Sequence, residues 1–210
     1  MNPDIRLLNN VDLNEIACIH LASFPRSALT QLGKEAVRRY YDWQLTGPHD
    51  AVNLGVWVDG RLAGFCFGGI FNGALGGFLQ KNRAYLAWRI LTHPWLLGNE
   101  MVRGRIQLAR SVFCRQPKVI RPVTPVGPPQ RLFGILSIAV DPEFQGKRIG
   151  QILMEAEEAA ARERGFKGMN LSVAVDNTQA IGFYERLGWI RVFDENQPWH
   201  GRMNKFFADS

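Results

Sequence analysis

Apolar and polar residues alternate over several short stretches of the chain, and this period of two predicts strands. Residues 52–58 and 62–67 are two such stretches, joined by an Asp-Gly pair that favours a tight hairpin turn. Residues 169–176 alternate in the same way, and residues 5–8 form a shorter run. Residues 132–140 are almost continuously apolar, which is typical of a central strand buried on both faces. The pattern therefore predicts a sheet with a buried centre.

Other stretches repeat their apolar residues every three or four positions, which predicts helices with one buried face. The first begins near Leu13, where Asp12 is placed to cap its N-terminus, and the second covers residues 32–45. A third helix begins near Ile149 and closes at Gly165. With a short capped helix and a last hairpin near the C-terminus, the predicted order is β-α-α-β-β, an insertion, and then β-α-β-α-β-β.

Residues 62–79 form an uncharged, mostly apolar segment that is about as long as a membrane span. Six of its residues are glycine, however, and glycine is a poor helix former. The first part of the segment alternates as a strand does. The segment therefore predicts a buried strand that continues into a flexible loop, and not a membrane-spanning helix.

The composition is that of an ordinary soluble globular protein, with 46% hydrophobic and 21% charged residues. A chain of 210 residues has the length of one domain, and we expect residues 1–210 to form a single one. The three cysteines, Cys18, Cys66 and Cys114, are odd in number and lack C-x-x-C spacing. This argues against a disulfide framework and against zinc, so we expect no metal. Together with an N-terminus unlike a signal peptide, it favours a cytoplasmic location.

The net charge of +6 is concentrated in one segment. Residues 81–121 contain nine Lys or Arg residues and a single acid, Glu100, so the rest of the chain is slightly acidic. This segment belongs to an insertion of about residues 70–130, between the third and fourth predicted strands. Its pattern predicts two helical pieces, broken at a His-Pro pair and again near Gly98.

Three interpretations of this basic insert are open. Its Trp and Leu residues pack on the core or on a second subunit of a homodimer. Alternatively, its basic face recognises an anionic substrate or an anionic membrane surface, which would place the protein at the periphery of the inner membrane. The third interpretation is nucleic-acid binding, which a basic patch alone supports weakly, so we expect no nucleic-acid partner.

Two motifs near the C-terminal end carry the candidate chemistry. Residues 145–150 follow a strand that stops at Asp141-Pro142, and they open a helix through a glycine loop. Such a loop directs several backbone N–H groups to one point, where the helix dipole adds partial positive charge. Phosphate groups bind at such places. The second motif, residues 177–189, is a short capped helix that faces the same region if its flanking strand lies beside the first.

The first motif, Gln145-Gly146-Lys147-Arg148-Ile149-Gly150, resembles the Gln/Arg-x-x-Gly-x-Gly/Ala pyrophosphate loop of the GNAT acyltransferase superfamily. In the second motif, the residues Asn177, Ala180, Tyr184, Gly188 and Trp189 resemble the Asn-x-x-Ala-x-x-x-Tyr-x-x-x-Gly-aromatic segment of that superfamily. One position departs from the pattern, because its middle glycine is Arg148 here. A residue with a Cβ still donates its backbone N–H, so we expect a tolerated variant. Specific motifs are confined to residues 132–189.

The resemblance implies an α/β fold with a mixed, mostly antiparallel twisted sheet and helices on both faces. It also implies acetyl-coenzyme A (acetyl-CoA) as cosubstrate. The pantetheine arm of the cosubstrate is expected along Ile138, Ala139 and Val140, where a bulge separates the fourth strand from the fifth. The phosphates are expected on the backbone of the loop, with charge from Lys147 and Arg148. Asn177 is expected at the same site, although it is also a good N-cap residue.

By the same resemblance, Tyr184 is the general acid that protonates the departing thiolate, and the backbone N–H of Val140 polarises the thioester carbonyl. A core aromatic is the structural alternative for Tyr184. The sequence does not identify a general base. Candidate bases are Ser137, Asp141, Glu143, Glu35 and Asp42, and each acid is also typical of a solvated surface.

The resemblance implies transfer of an acetyl group to a primary amine by direct attack in a ternary complex. Two alternatives are open: acetylation of a nucleotide- or lipid-linked amino sugar in polysaccharide synthesis, and a non-catalytic module that binds acetyl-CoA. Acceptor specificity is expected from residues 24–30 and 196–200, where Arg26, Ser27 and Thr30 are candidates for binding a phosphate or sugar hydroxyls.

Overall fold

The computed structural model describes residues 2–95, 131–193 and 197–208 of the chain. Within these ranges the strands are β1 (Asp4–Leu7), β2 (Asp50–Val58), β3 (Arg61–Ile70), β4 (Phe133–Val140), β5 (Gly168–Ser172), β6 (Ile190–Arg191) and β7 (Arg202–Phe206). The helices are α1 (Leu13–Ser23), α2 (Ala28–Gln31), α3 (Lys34–Thr46), α4 (Ala74–Lys81), α5 (Arg83–Thr92), α6 (Ile149–Glu163) and α7 (Thr178–Arg186).

The strands form one sheet with the spatial order β1-β2-β3-β4-β5-β7-β6. Of the described pairs, only β4 and β5 run parallel. Helices α1 and α3 pack on one face of the sheet around Tyr41, Phe65 and Phe67, whereas α6 packs on the other around Leu153 and Met169. The predicted fold class is therefore confirmed, with a mostly antiparallel sheet and helices on both faces.

A β-bulge at Leu136 interrupts the pairing of β3 with β4. Phe67 lies opposite Ser137, but its neighbour Gly68 lies opposite Ile135, so β4 carries one extra residue. On its other side β4 pairs with β5 only from Phe133 to Ile135. The two parallel strands therefore separate after the bulge, and the second half of β4 is left without a β5 partner.

The glycine-rich segment after β3 differs from the expected loop, because residues 74–81 form helix α4. Gly76 and Gly77 lie inside this helix. A Cβ at Gly77 would collide with the indole of Trp43 on α3, so glycine is required there for close packing of the two helices. Helix propensity alone predicted the wrong structure here, since tertiary packing offsets the cost of glycine.

Local details also depart from the predictions. Asp12 does not cap α1; its carboxylate accepts a hydrogen bond from the Asn9 N–H, while Asn9 caps the turn before the helix. A short extra helix, α2, precedes α3. Strand β5 ends at Ser172, four residues earlier than the alternation predicted.

The insertion between β3 and β4 begins with α4 and α5, and α5 ends at Thr92, immediately before the predicted break at a His-Pro pair. Residues 96–130 lie outside the described residues, and they include Gly98, Cys114 and six of the nine basic residues. The predicted contacts of the insert with a membrane or a second subunit therefore remain predictions. No helix among the described residues is long and apolar enough to cross a membrane.

Helix α6 buries a carboxyl group against the sheet. Glu157 is fully inaccessible to solvent, and its side chain lies close to Gly68 of β3 and the Phe133 ring of β4. Burial raises the pKa of Glu157 to about 9. The carboxyl group of Glu157 is therefore protonated at neutral pH in the folded protein. In the unfolded chain it has its ordinary pKa of 4.5, so it is ionised at neutral pH.

We expect the stability of the wild-type protein to fall as pH rises from about 4.5 towards about 9. In that window the unfolded state releases the Glu157 proton and the folded state keeps it. Glu157→Gln removes this titration, so its free energy of unfolding should rise relative to wild type by up to about 1.4 kcal/mol per pH unit. Chemical denaturation at several pH values measures this. Glu163→Gln, an exposed position on the same helix, is the control. A Glu157→Gln effect independent of pH would contradict the account.

Candidate active site

A cleft of about 680 Å³ opens where β4 separates from β5. Its walls are the second half of β4, the loop at residues 145–148, the N-terminal part of α6, one side of α7, and the C-terminal end of α1 with Phe24. Ten of the eleven residues predicted for the site line this cleft: Ile138, Ala139, Val140, Gln145, Gly146, Arg148, Ile149, Gly150, Asn177 and Tyr184. We call this cavity the splay cleft.

The eleventh residue, Lys147, does not line the splay cleft. Its ammonium group lies 4.8 Å from the centroid of the Phe144 ring, a cation–π arrangement. The charge of the loop at the cleft itself therefore comes from Arg148.

The loop before α6 presents backbone N–H groups to the splay cleft. Gly146 adopts φ +75° and Arg148 φ +62°, both in the left-handed region. The first helical hydrogen bond of α6 runs from the Ile152 N–H to the Arg148 carbonyl. The N–H groups of the first three helical residues, Ile149 to Gln151, therefore have no acceptor inside the helix. A loop of this geometry, at the positive end of a helix of 15 residues, is suited to an anionic group.

The second half of β4 also directs N–H groups into the splay cleft. The Asp141 N–H donates to the Ala63 carbonyl of the neighbouring chain segment at 2.9 Å. Because successive residues of an antiparallel strand alternate between their two neighbours, the N–H groups of Val140 and Ile138 point away from β3. The Val140 carbonyl points the same way, and it accepts a hydrogen bond from the Ser23 hydroxyl at 3.2 Å.

Tyr184 lies on α7 with its ring packed against Phe183 and Trp189, at centroid distances of 5.2 and 5.9 Å. Only 8% of the residue is exposed, and burial raises its pKa above the ordinary value. The Tyr184 hydroxyl makes no hydrogen bond to another described residue, and the residue lines the splay cleft. The ring of Tyr184 is thus part of the core, as expected if the residue is a core aromatic. Its hydroxyl is nevertheless uncharged and able to donate a hydrogen bond.

Asn177 caps α7, because its side-chain oxygen accepts the Ala180 N–H at 3.0 Å. Asn177 also lines the splay cleft, so capping and a place at the cleft are compatible. The Ser27 and Thr30 hydroxyls are also engaged locally: Ser27 caps α2, and Thr30 donates to the Phe24 carbonyl. Of the proposed specificity loop at residues 196–200, residue 196 lies outside the described residues.

The acids considered as bases all have structural partners. Glu35 pairs with Arg38 and Arg39, Asp42 pairs with Lys81, and Glu143 pairs with Arg61. Asp141 accepts the Glu143 N–H within the turn after β4. None of these acids lines the splay cleft. Among the described residues, no three His, Cys, Asp or Glu side chains lie together in a way that could hold a metal ion.

A second cavity, of about 540 Å³, lies on the α1–α3 face of the sheet, beneath α2, α4 and α5. We call it the apolar pocket. At its floor, the Tyr41 hydroxyl shares hydrogen bonds of 2.9 Å with both His20 Nδ1 and the Ser137 hydroxyl. No local pattern in the sequence indicates this chain of side chains, since its members are 21 and 96 residues apart.

The family of the chain follows from its similarity to known proteins. The profile of the acetyltransferase (GNAT) family matches residues 13–189, which include both α1 and the Gly-Trp pair after α7. The chain belongs to the GNAT family. The resemblance drawn from residues 145–150 and 177–189 is therefore confirmed.

Curated GNAT relatives match parts of the chain. An uncharacterized N-acetyltransferase of Methanocaldococcus jannaschii is 44% identical over 55 residues, 26% of this chain and 24% of that protein. Mycothiol acetyltransferase of Rhodococcus erythropolis is 37% identical over 67 residues, 32% of this chain and 22% of that protein. The chain therefore spans less than a quarter of these two relatives. N-alpha-acetyltransferase 30 of Schizosaccharomyces pombe is 28% identical over 54% of this chain and 71% of its own.

Solved GNAT structures share the fold over nearly the whole chain. The PaiA N-acetyltransferase of Thermoplasma acidophilum, solved in complex with coenzyme A, has a TM-score of 0.58 at 15% identity and covers 99% of this chain and 100% of its own. The ribosomal-protein-S18-alanine N-acetyltransferase of Escherichia coli has a TM-score of 0.57 at 16% identity, covering 100% of this chain and 96% of its own. At such identities the similarity concerns the fold alone.

The left-handed backbone at Arg148 leads to a stability prediction. Arg148→Gly and Arg148→Ala both remove the charge, but only glycine adopts φ +62° without strain. The glycine variant should therefore be more stable than the alanine variant, by about 1 kcal/mol. Urea denaturation of the two proteins measures the difference.

The neighbouring Lys147 provides a matched control, because its φ is not in the left-handed region. There the order should reverse, with Lys147→Ala more stable than Lys147→Gly. The same order of stability of the Gly and Ala variants at both positions would contradict a strained left-handed backbone at Arg148.

Proposed function

We propose that this GNAT protein transfers an acetyl group from acetyl-CoA to a primary amine by direct attack in a ternary complex. The observation that carries the proposal is the convergence on one cleft of three elements. These are the N–H groups of the glycine loop, the unpaired N–H groups of β4, and the neutral phenol of Tyr184. Each element suits a different part of an acyl thioester bound to a nucleotide.

The glycine loop suits the pyrophosphate of acetyl-CoA. Its N–H groups at the start of α6 and the side chain of Arg148 supply hydrogen bonds and positive charge without any metal ligand. Support comes from solved structures with this fold: the Thermoplasma PaiA enzyme holds coenzyme A, and a GNAT acetyltransferase of Brucella melitensis, with a TM-score of 0.50, holds acetyl-CoA.

Strand β4 suits the pantetheine arm and the thioester. Beyond Ile135, where β5 no longer pairs with β4, the arm lies beside β4 in place of β5. Ile138 and Val140 then donate their backbone N–H groups to the arm. As the amine nitrogen attacks the carbonyl carbon, negative charge develops on the carbonyl oxygen. The Val140 N–H then stabilises that charge more strongly than it stabilises the uncharged carbonyl.

The leaving thiolate takes its proton from the Tyr184 hydroxyl. The acceptor, an ammonium ion at neutral pH, loses one proton to solvent or to a base before it attacks and a second as the carbon–nitrogen bond forms and the carbon–sulfur bond breaks. One of these protons restores the Tyr184 phenol through solvent, so that one proton is released overall. Burial keeps the pKa of Tyr184 above its ordinary value, so the phenol carries its proton throughout the neutral range. It is therefore available as a general acid at neutral pH.

Direct attack is supported by the state of the described cysteines. Cys66 is buried in β3, and burial raises the pKa of its thiol well above the ordinary value. Cys18 is exposed on α1 and does not line the splay cleft. An acyl-cysteine intermediate would need a reactive thiolate at the cleft.

The function is tested by acceptor-dependent release of the coenzyme A thiol, measured with peptides, polyamines, simple amines and nucleotide-linked amino sugars. Isothermal titration of acetyl-CoA is run in parallel. We expect micromolar-range binding of acetyl-CoA and thiol release with one class of amine. Failure to bind acetyl-CoA would contradict the proposal. Binding without release by any amine would favour a non-catalytic module.

We expect Tyr184→Phe to lower the turnover number by roughly a hundredfold, because the thiolate then leaves without a positioned acid. Acetyl-CoA affinity and thermal stability should change little, since the hydroxyl makes no hydrogen bond to another described residue. Tyr85→Phe, on α5 and outside both cavities, is the control and should retain wild-type turnover. An unchanged rate in Tyr184→Phe would remove Tyr184 from the mechanism.

A further inference from the structure

We propose that the apolar pocket binds the hydrocarbon group of the acceptor, so that the preferred acceptor is an alkyl- or arylalkyl-amine. This inference rests on the proposed amine acetylation and adds to it the chemical class of the acceptor. Four observations carry it: the position of the pocket, its lining, its polar floor and its roof.

The two cavities meet at Phe24, which lines both, and the splay cleft extends to the α6 face of β4. Ile138 and Val140 pack towards α6, on the face of the splay cleft. Ser137 contacts Tyr41 of α3, so it faces the other side, and the bulge turns Leu136 to that side as well. A molecule in the apolar pocket therefore reaches the splay cleft from the α1–α3 face of β4, beside Phe24. The donor occupies the splay cleft in the proposed function, so we assign this space to the acceptor.

The lining of the apolar pocket suits an uncharged group. Among the residues that the structure describes, no Asp, Glu, Lys or Arg lines it, and its walls are mainly Leu, Ile, Phe and Ala side chains. A cavity of about 540 Å³ falls in the range of small-ligand sites. Polyamines, basic peptides and nucleotide-linked sugars would bring charged groups into this space without a partner, and a charge buried without a partner is strongly disfavoured.

The polar atoms of the pocket are gathered on the β4 side. His20, Tyr41 and Ser137 form a hydrogen-bonded chain there, and Ser137 precedes Ile138, which lines the splay cleft. Burial lowers the pKa of His20 to about 4, so the imidazole is neutral and adds no positive charge against an amine. The amine nitrogen of an acceptor is thus expected near Ser137, with the hydrocarbon group directed away from β4.

The roof of the pocket comes from the insertion, since Leu75, Phe78 and Leu79 of α4 and Leu86 and Ile90 of α5 line it. These helices lie between β3 and β4 in the chain, so the insertion forms a wall of the pocket that the sheet and α1 to α3 do not provide. The insertion is therefore expected to set which acceptors bind.

The test is a series of n-alkylamines, from propylamine to decylamine, with saturating acetyl-CoA. We expect kcat/KM to rise roughly fourfold per methylene until the pocket is filled, as for burial of hydrocarbon. Spermidine should be a poor acceptor. Octylamine should also raise the melting temperature of the donor-free protein.

Two variants of the pocket sharpen the test. Ala28→Phe fills the pocket and should lower kcat/KM for octylamine at least tenfold, with a smaller effect on propylamine and none on acetyl-CoA affinity. Ile90→Ala enlarges the pocket, so the alkylamine with the highest kcat/KM should have a longer chain than in wild type. This second result can be measured even if Ala28→Phe does not fold. Ala87→Phe, exposed on α5, is the matched control and should behave as wild type.

Three results would overturn the inference while leaving the proposed acetyl transfer intact. The first is a flat dependence on alkylamine length, and the second is preferred acetylation of spermidine. The third is a length dependence on the acyl group of the donor, with octanoyl-CoA preferred and sensitive to Ala28→Phe. Absence of acetyl-CoA binding, in contrast, would count against the proposed function itself.

Discussion

The extra residue that Leu136 inserts into β4 determines the arrangement of the whole site. A regular parallel pair would satisfy the N–H groups of β4 with β5 along its full length. The bulge ends that pairing after Ile135 and leaves the N–H groups of Ile138 and Val140 directed into an open cleft. An unpaired backbone donor inside a protein is unfavourable, so this edge of β4 is ready to accept a partner that supplies carbonyl oxygens. An extended amide-containing arm meets that requirement.

The same bulge distributes the chemistry between the two faces of the sheet. It places Leu136 and Ser137 on the side of α1 and α3, next to the apolar pocket, while Ile138 faces α6 and the splay cleft. In the proposed function, donor and acceptor approach β4 through different cavities, which meet at Phe24. The glycine loop and Tyr184 line the splay cleft, and helices α4 and α5 of the insertion line the apolar pocket. The fold of this GNAT protein thus places part of its insertion over the apolar pocket, where we propose that the acceptor binds.

Patterns local in the sequence predicted most of the fold and ten of the residues that line the splay cleft. Hydrophobic periodicity identified the long strands and helices, and residues 145–150 marked a loop whose function depends on backbone geometry. Features that depend on distant contacts were not predictable in this way. The bulge was expected from the family resemblance alone, because it lies within a continuous apolar run that shows no change of period. Helix α4 forms despite its glycines because Gly77 packs against Trp43. The chain from His20 to Ser137 exists only once α1, α3 and β4 are brought together.

Amide hydrogen exchange along β4, followed by NMR with and without acetyl-CoA, tests this account most directly. In the free protein, the N–H groups of Ile138 and Val140 should exchange quickly, whereas that of Ala139, which faces β3, should be protected. Acetyl-CoA should protect Ile138 and Val140 and leave Ala139 unchanged. Strong protection of all three in the free protein, or no change at Ile138 and Val140 on binding, would contradict the central role given to the bulge.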